Sequence, residues 1–419
     1  MPTPRPPPND RWRGRVLMIA EIIAWAGGAL GLISAVVTLV TAHVMCRRVP
    51  ALVEPVTARA VMIVPATGDL PRLAAFHDAL LAQRCRPARI VFAVESVDDP
   101  AYARLLALVA SSPFSIDVVV AGEATASSQK CRNQASALRL FGQSEPYVVL
   151  ADIDILPPPD WLGHLLRPLT RDVADVVTGY RWTMPADARP ATVLGTWIDR
   201  SVAGLPKPND GWLAWGGSIA LRRDAVERLG LPDLFEREIS DDLSLAKAAR
   251  RAGARVIFRR SVLLPTPVAH SFASLIAFGQ RQYQMFLFYQ WPLWLAAAVT
   301  VVANLFGSVA LLWLAFHSPA GLAAYALSLI MIAAADQRRR SMARRAGIAP
   351  VGGVVEVILR FMPLLLPVIH LLHLAAIVLS LDRRKVVWGH CVYRMRGGRV
   401  TGIERRRWSS IVSSDARGD

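Results

Sequence analysis

Apolar and polar positions change period several times along the chain. Val16 to Cys46 is an apolar tract whose one acidic residue is Glu21 and which holds no Lys or Arg. It exceeds the roughly 20 residues that cross a bilayer core. Its length, and the lack of a small-residue cleavage pattern, separate it from a signal peptide. From Arg59 onward short apolar runs alternate with helical spacing. Arg59 to Pro65, Arg89 to Val94, Ile116 to Ala121 and Tyr147 to Ala151 read as strands. Leu70 to Gln83, Ala101 to Ser111 and Lys130 to Phe141 read as helices between them. Strands alternating with helices predict a doubly wound α/β sheet, which binds ligands beyond the carboxyl ends of its strands.

A second uncharged tract runs from Trp291 to Ala335, and His317-Ser318-Pro319 interrupts it as a hairpin turn would. A third, Phe361 to Leu381, lacks Lys, Arg, Asp and Glu but carries Pro363, Pro367, His370 and His373. It fits a span, a kinked span or a re-entrant segment. The expected layout is an N-terminal tail (1–15), a transmembrane helix (16–46), a catalytic domain (47–270) and an interfacial helix region (271–290). A transmembrane hairpin (291–335), a basic loop (336–353), a transmembrane or re-entrant segment (354–381) and a basic tail (382–419) complete it. The roughly 245 residues between the first two tracts suffice for one α/β domain.

Composition agrees: 53% of residues are hydrophobic and mean hydropathy is positive. The formal charge of +16 collects at Arg338 to Arg345 and from Arg383 to Arg407. Such juxtamembrane clusters mark a cytoplasmic face and anionic lipid head groups. No nucleic-acid motif accompanies them, so nucleic acid is not an expected partner. A cytoplasmic domain with a cytoplasmic tail requires an even number of crossings after residue 290, which favours a re-entrant third tract. Cys46, Cys85, Cys131 and Cys391 lack paired spacing and read as structural thiols.

Candidate chemistry begins at Asp152-Ile153-Asp154, where the fourth strand meets Pro157, Pro158 and Pro159. Two carboxylates so spaced suit a hard divalent ion, and equally a strand-ending turn. Ser240-Asp241-Asp242 opens a segment with helical spacing that ends at Gly253. A capping role accounts for one acid; a second is free to act as a general base. Gly216-Gly217-Ser218 fits a ligand loop or a bend, and Trp212 and Trp215 before it fit sugar stacking, lipid contact or burial. Arg281, just ahead of the second tract, fits a cation for a departing diphosphate or an interfacial anchor. Neither Gly-x-Gly-x-x-Gly after the first strand nor a Walker loop is present, which argues against a Rossmann dinucleotide site.

In this order the residues resemble family-2 inverting glycosyltransferases, in particular the ceramide glucosyltransferase-like branch with its bacterial hopanoid and glycolipid enzymes. The resemblance spans Arg59 to Phe286 plus the flanking anchors. It implies a GT-A fold, a mixed-sheet domain inserted between an N-terminal transmembrane helix and C-terminal transmembrane or re-entrant helices. It further implies a UDP-sugar donor, a Mg2+ or Mn2+ requirement and a membrane lipid acceptor. It places metal and diphosphate carboxylates at Asp152 and Asp154, and the general base at Asp242 with Asp241 beside it. Lys130 and Asn133 would lie near the nucleotide, with Gly216, Gly217 and Ser218, and Arg281 would assist departure. Trp212 and Trp215 would face the acceptor. The family's early nucleotide-binding aspartate aligns with Ser96, so Glu95 or Asp98 takes its place. Its terminal Arg-Trp pair reads Gln284-Met285. The segment Trp388-Gly389-His390-Cys391-Val392-Tyr393-Arg394 resembles the Trp-x-Gly-x-x-Tyr-Arg ending of bacterial relatives. Processive polysaccharide synthases use the same carboxylates, and an inactive GT-A scaffold or nucleotide-sugar sensor would also retain them.

Overall fold

The computed structural model describes residues 8–47, 56–140, 145–205, 207 and 213–406. The long helix α1 (Pro8–Met45) leads into an α/β domain. Its strands are β1 (Ala60–Pro65), β2 (Arg89–Val94), β3 (Ile116–Val120), β4 (Tyr147–Ala151), β5 (Val176–Pro185), β6 (Ser218–Arg222) and β7 (Val256–Val268). They form one sheet in the order β3-β2-β1-β4-β6-β5-β7. β6 runs antiparallel to both β4 and β5, and the remaining pairs are parallel. This is the mixed α/β sheet expected of a GT-A domain.

Both faces of the sheet are covered because its strands are apolar at nearly every position, as parallel strands must be when helices pack on each side. Met62, Val64, Ile90 and Phe92 meet Phe76 and Leu80 of α2 (Leu73–Leu81), Leu105 of α3 (Pro100–Ser111) and Trp161 and Leu165 of α5 (Trp161–Thr170). On the other face Val61, Ile63, Val148 and Ile219 meet Cys131 and Leu138 of α4 (Gln129–Leu140), Phe235 of α8 (Leu231–Phe235) and Leu245 of α9 (Asp241–Arg251). Each fully buried Leu, Ile or Phe contributes roughly 2 kcal/mol. α6 (Pro190–Ala203) and the short α7 (Arg223–Arg228) complete the domain. The expected helix start at Leu70 moves to Leu73: Leu70 precedes Pro71, which disfavours helical geometry there, and it takes φ +44° in a turn.

α10 (Phe272–Tyr289) leaves the sheet with a reciprocal Ser271–Ser274 capping box and hands the chain to α11 (Trp291–His317). Ser318 caps α12 (Pro319–Arg345), which carries the expected basic loop as helix as far as Arg345. α1 and α11 approach closely where small residues meet: a Cβ on Gly307 would stand 2.7 Å from the Gly31 nitrogen. Ser34 donates to Asn304 across this contact at 2.7 Å. The third tract is α13 (Gly353–Phe361), a 3-10 turn at Met362–Leu365 and α14 (Leu366–Ser380). Among the described residues, four segments, Arg15–Met45, Trp291–His317, Pro319–Arg345 and Gly353–Ser380, are long and apolar enough to cross a membrane.

The expected basic tail holds a second sheet. β8 (Lys385–Trp388), β9 (Cys391–Arg396) and β10 (Arg399–Arg405) pair antiparallel in the order β10-β9-β8. Gly397 and Gly398, at φ +60° and +79°, form a two-residue hairpin connection of the kind that requires positive φ at both positions. Gly-Gly between short apolar runs is the sequence signal for this hairpin.

Candidate functional site

The alternation at the end of β4 aims the two aspartates. Ile155 is buried in the core and Ile153 packs against it, so Asp152 and Asp154 face the opposite way. The carbonyls of Pro157 and Pro158 accept from Gln83 Nε2 at 3.3 and 2.7 Å, which fixes the loop that follows. Because β6 runs antiparallel to β4, with Ala151 opposite Ser218, Gly216 and Gly217 lie beside Asp152. The Asp152 amide donates to the Gly217 carbonyl at 3.3 Å.

Lys130, in the first turn of α4, enters between the acids. Its Nζ stands 2.7 Å from Asp152 Oδ1 and 3.0 Å from Asp241 Oδ2. Burial opposes its charge, but Asp152, Asp241 and Asp242 hold the ammonium well above the ordinary lysine range. Asp241 is buried and also accepts from Gln134 Nε2 at 3.0 Å. The Gly216 backbone is pressed against this pair: a Cβ there would lie 2.9 Å from Lys130 Nζ and 3.0 Å from Asp241 Oδ2.

Ser240 is the N-cap of α9, its hydroxyl accepting from the Leu243 amide. Asp242 Oδ1 accepts from Ser240 Oγ at 2.5 Å and from the Leu243 amide at 2.7 Å, and Oδ2 accepts from the Gly216 amide at 3.0 Å. Oδ2 therefore keeps a lone pair for a further proton. Water reaches Asp242, which is half-buried, but crowding by protein atoms, with Asp241 next in importance, raises its pKa. Asp154 is exposed to solvent, yet desolvation by the surrounding protein atoms, with Asp152 next, raises its pKa as well. One ammonium thus faces four carboxylates, a donor set of hard oxygens with unsatisfied negative charge that suits Mg2+ or Mn2+ at Asp152 and Asp154.

The other expected residues are placed as follows. Asn133 is buried, donates to the Ala93 carbonyl at 2.9 Å and accepts from Gln129, bracing β2. Ser218 is fully buried and accepts from the Trp161 indole at 2.9 Å, away from solvent. Trp215 is half-buried, its ring folded over Gly217 and 5.9 Å from that of Tyr180. Trp212 lies outside the described residues. Asp98 is exposed, whereas its neighbour Asp99 caps α3 and accepts from Gly68 N and Thr67 Oγ1. Arg281 lies between Phe278 and Trp388, 5.6 and 5.3 Å from the ring centroids, and has no carboxylate partner among the described residues. Burial, then Arg181, lowers its pKa to about 10.

One neighbour of the site gave no sequence signal, and others have partners that sequence order does not show. Arg181 of β5 is held by Asp199 at 2.6 Å and stacks on the other side of Phe278 at 4.9 Å. Glu95 is buried and bound by the second sheet: His390 Nε2 lies 2.5 Å from it, and Arg405 Nε donates to its other oxygen. Burial works against the Glu95 charge, yet these two bonds hold its carboxyl below the usual range. The Tyr393 hydroxyl accepts from the Gln129 amide at 3.0 Å, so the same sheet also fixes the start of α4 next to Lys130. Gln284, where the resemblance leads one to expect arginine, donates to the Asp382 and Lys385 carbonyls at 2.7 and 3.0 Å and anchors β8.

This docking is expected to depend on pH. Burial lowers the His390 pKa, but Cys391 and Glu95 outweigh it and raise it from 6.5 to about 9. A raised histidine pKa contributes stability that is complete below 6.5 and lost as pH rises through 9. Hydrogen exchange, corrected for intrinsic rates, is expected to show β9 amide protection falling between these pH values; constant protection would contradict the pairing.

The chain matches the model of glycosyl transferase family 21 over residues 15–401. No curated protein sequence matches it. Among solved structures, it is similar to a mannosyltransferase from Pyrobaculum calidifontis in complex with GDP-Man and Mn2+, at 18% identity and a TM-score of 0.45, covering 86% of this chain and 99% of that one. It is also similar to the glucosyl-3-phosphoglycerate synthase of Mycobacterium tuberculosis, at 14% identity and a TM-score of 0.34, covering 55% and 79%. Since the family match extends from the first apolar helix into the last strand of the second sheet, this chain belongs to glycosyl transferase family 21.

Proposed function

We propose that the protein is an inverting glycosyltransferase that moves a hexose, glucose first among candidates, from a UDP-sugar to the hydroxyl of a membrane lipid of ceramide, hopanoid or diacylglycerol type. The observation that carries this reading is where the base sits. The Tyr289 hydroxyl accepts from the amides of Ile239 and Ser240 at 3.1 and 3.3 Å and donates to Glu238 at 2.6 Å. The loop leading into α9, whose first turn carries Asp242, is thereby tied to the last residue of α10, immediately before α11 and its apolar surface. An acceptor embedded in the bilayer would present its hydroxyl at this boundary.

Asp242 Oδ2 takes the acceptor proton as the oxygen attacks the anomeric carbon opposite the departing diphosphate. A single displacement inverts that centre. Asp152 and Asp154 would hold Mg2+ or Mn2+, which supplies neutralisation of diphosphate charge. Lys130 holds Asp152 and Asp241 in place through its two ion pairs, and Arg281 supplies a fixed cation at the membrane side.

Chain parity supports the orientation. Met342 and Ala343 of α12 pack with Trp182 and Leu263 of the catalytic sheet, and Val386 and Tyr393 of the second sheet pack with Ile239 and Leu243. Gly353–Ser380 therefore begins and ends on the domain's side. We place it as a re-entrant or interfacial element broken at Pro363, with α1, α11 and α12 crossing and the domain facing the cytoplasm of a bacterial inner membrane.

Radiolabelled UDP-glucose and UDP-galactose supplied to membranes containing the wild type are expected to label a lipid fraction, and membranes with Asp154→Ala are not. Label in a high-molecular-weight polymer would point to a polysaccharide synthase, and donor binding without turnover to a sensor.

A further inference from the structure

We propose that the domain-side ends of α1 and α12 form a binding site for a phosphate group, supplied by the head group of an anionic membrane lipid. A cavity of about 220 Å3 lies there, lined by His43, Cys46, Arg47, Arg338, Ser341 and Arg345. The spacing builds it: Arg338, Ser341 and Arg345 share one face of α12, and His43, Cys46 and Arg47 share one face at the end of α1. No carboxylate lines it. Among the described residues, none of its arginines has a carboxylate partner, whereas Arg340, two residues on from Arg338 and on the opposite side of α12, is paired with Asp336 at 2.6 Å and with Glu356. A helix carboxyl end alone would repel an anion. Here the Arg345 guanidinium covers the Cys46 carbonyl, and the other guanidiniums remain directed to the cavity.

Depth along α12 selects the source of the phosphate. Arg338 lies roughly 30 Å of helix beyond Pro319, one hydrocarbon thickness, so the cavity opens at head-group level. Arginine provides planar paired donors suited to phosphate oxygens. Cys46, which lines the cavity, packs in one apolar cluster with Met45, Met342, Ala343, Trp182 and Leu263. Trp182 follows Arg181 in β5, so an occupied site would tie the membrane helices to the strand that flanks the cleft. The inference rests on the membrane orientation proposed above and not on glycosyl transfer.

The test uses the full chain in neutral detergent, with Tm as a readout that requires no turnover. Short-chain phosphatidylglycerol is expected to raise the wild-type Tm by roughly 3 °C. Phosphatidylcholine, whose choline cation meets the arginines, and inorganic phosphate at equal concentration are expected to raise it by less than half as much. Arg338→Gln and Arg47→Gln, both exposed positions, are expected to leave the lipid-free Tm unchanged and each remove most of the shift. High salt is expected to diminish the wild-type shift, a check that needs no variant. Equal shifts in wild type and variants, or with phosphatidylcholine, would overturn the site. A full shift with inorganic phosphate would overturn the lipid source.

Discussion

Exchanging Asp242 for Asn is expected to lower kcat roughly 10^3-fold, the usual contribution of a positioned general base, while donor affinity changes little. Asn Oδ1 keeps the bonds from the Leu243 amide and the Ser240 hydroxyl and loses only the one from the Gly216 amide, so the first turn of α9 stays folded and the loss reads on chemistry. Burial and Asp241 raise the Asp242 pKa, which makes it a stronger base than an ordinary carboxylate. The base acts only when ionised, so kcat/KM for the wild type is expected to fall as pH drops through a value above 3.8. Transfer assays with labelled donor, and donor binding measured separately, check both statements. A variant within about tenfold of wild-type turnover would remove Asp242 from the reaction.

The alternation of strands and helices made the first half of the sheet legible, because two-sided burial leaves apolar runs at β1, β2 and β4 that punctuation by Pro and Gly delimits. The acidic cluster was legible as well, since Asp152, Asp154, Asp241 and Asp242 stand at element ends where apolar periodicity fails. What sequence order does not carry is which distant groups meet. Glu95 looked like a nucleotide ligand from its position after β2, but whether its carboxylate is free depends on His390 and Arg405, roughly 300 residues away in the chain. The Gly397-Gly398 hairpin was visible in principle; the arginines around it suggested a basic tail instead. Arg181 and Asp199 form an ion pair across β5 and α6 that neither segment announces alone. Ser218, one residue past two open-looking glycines, turns inward because strand alternation carries its hydroxyl to Trp161.

Replacing Lys130 with Met is expected to destabilise the domain by about 3–5 kcal/mol, the cost of leaving a buried charge without its partner. Asp241 is 1% exposed and would retain only Gln134. Adding Asp241→Asn removes the orphaned charge while keeping an amide against Gln134, so the double variant is expected to recover most of the loss in thermal or denaturant unfolding. Independent effects would instead add. Turnover should not recover with stability, because Asp152 still lacks the ammonium that lies 2.7 Å from it in the native chain. If Asp152 and Asp154 hold a divalent ion, Mn2+ should stabilise the Lys130→Met chain more than the wild type, since the ion then meets an acidic cluster relieved of its competing cation. Equal stabilisation of both would place the metal away from Lys130 and return the Asp152–Asp154 pair to a purely structural role.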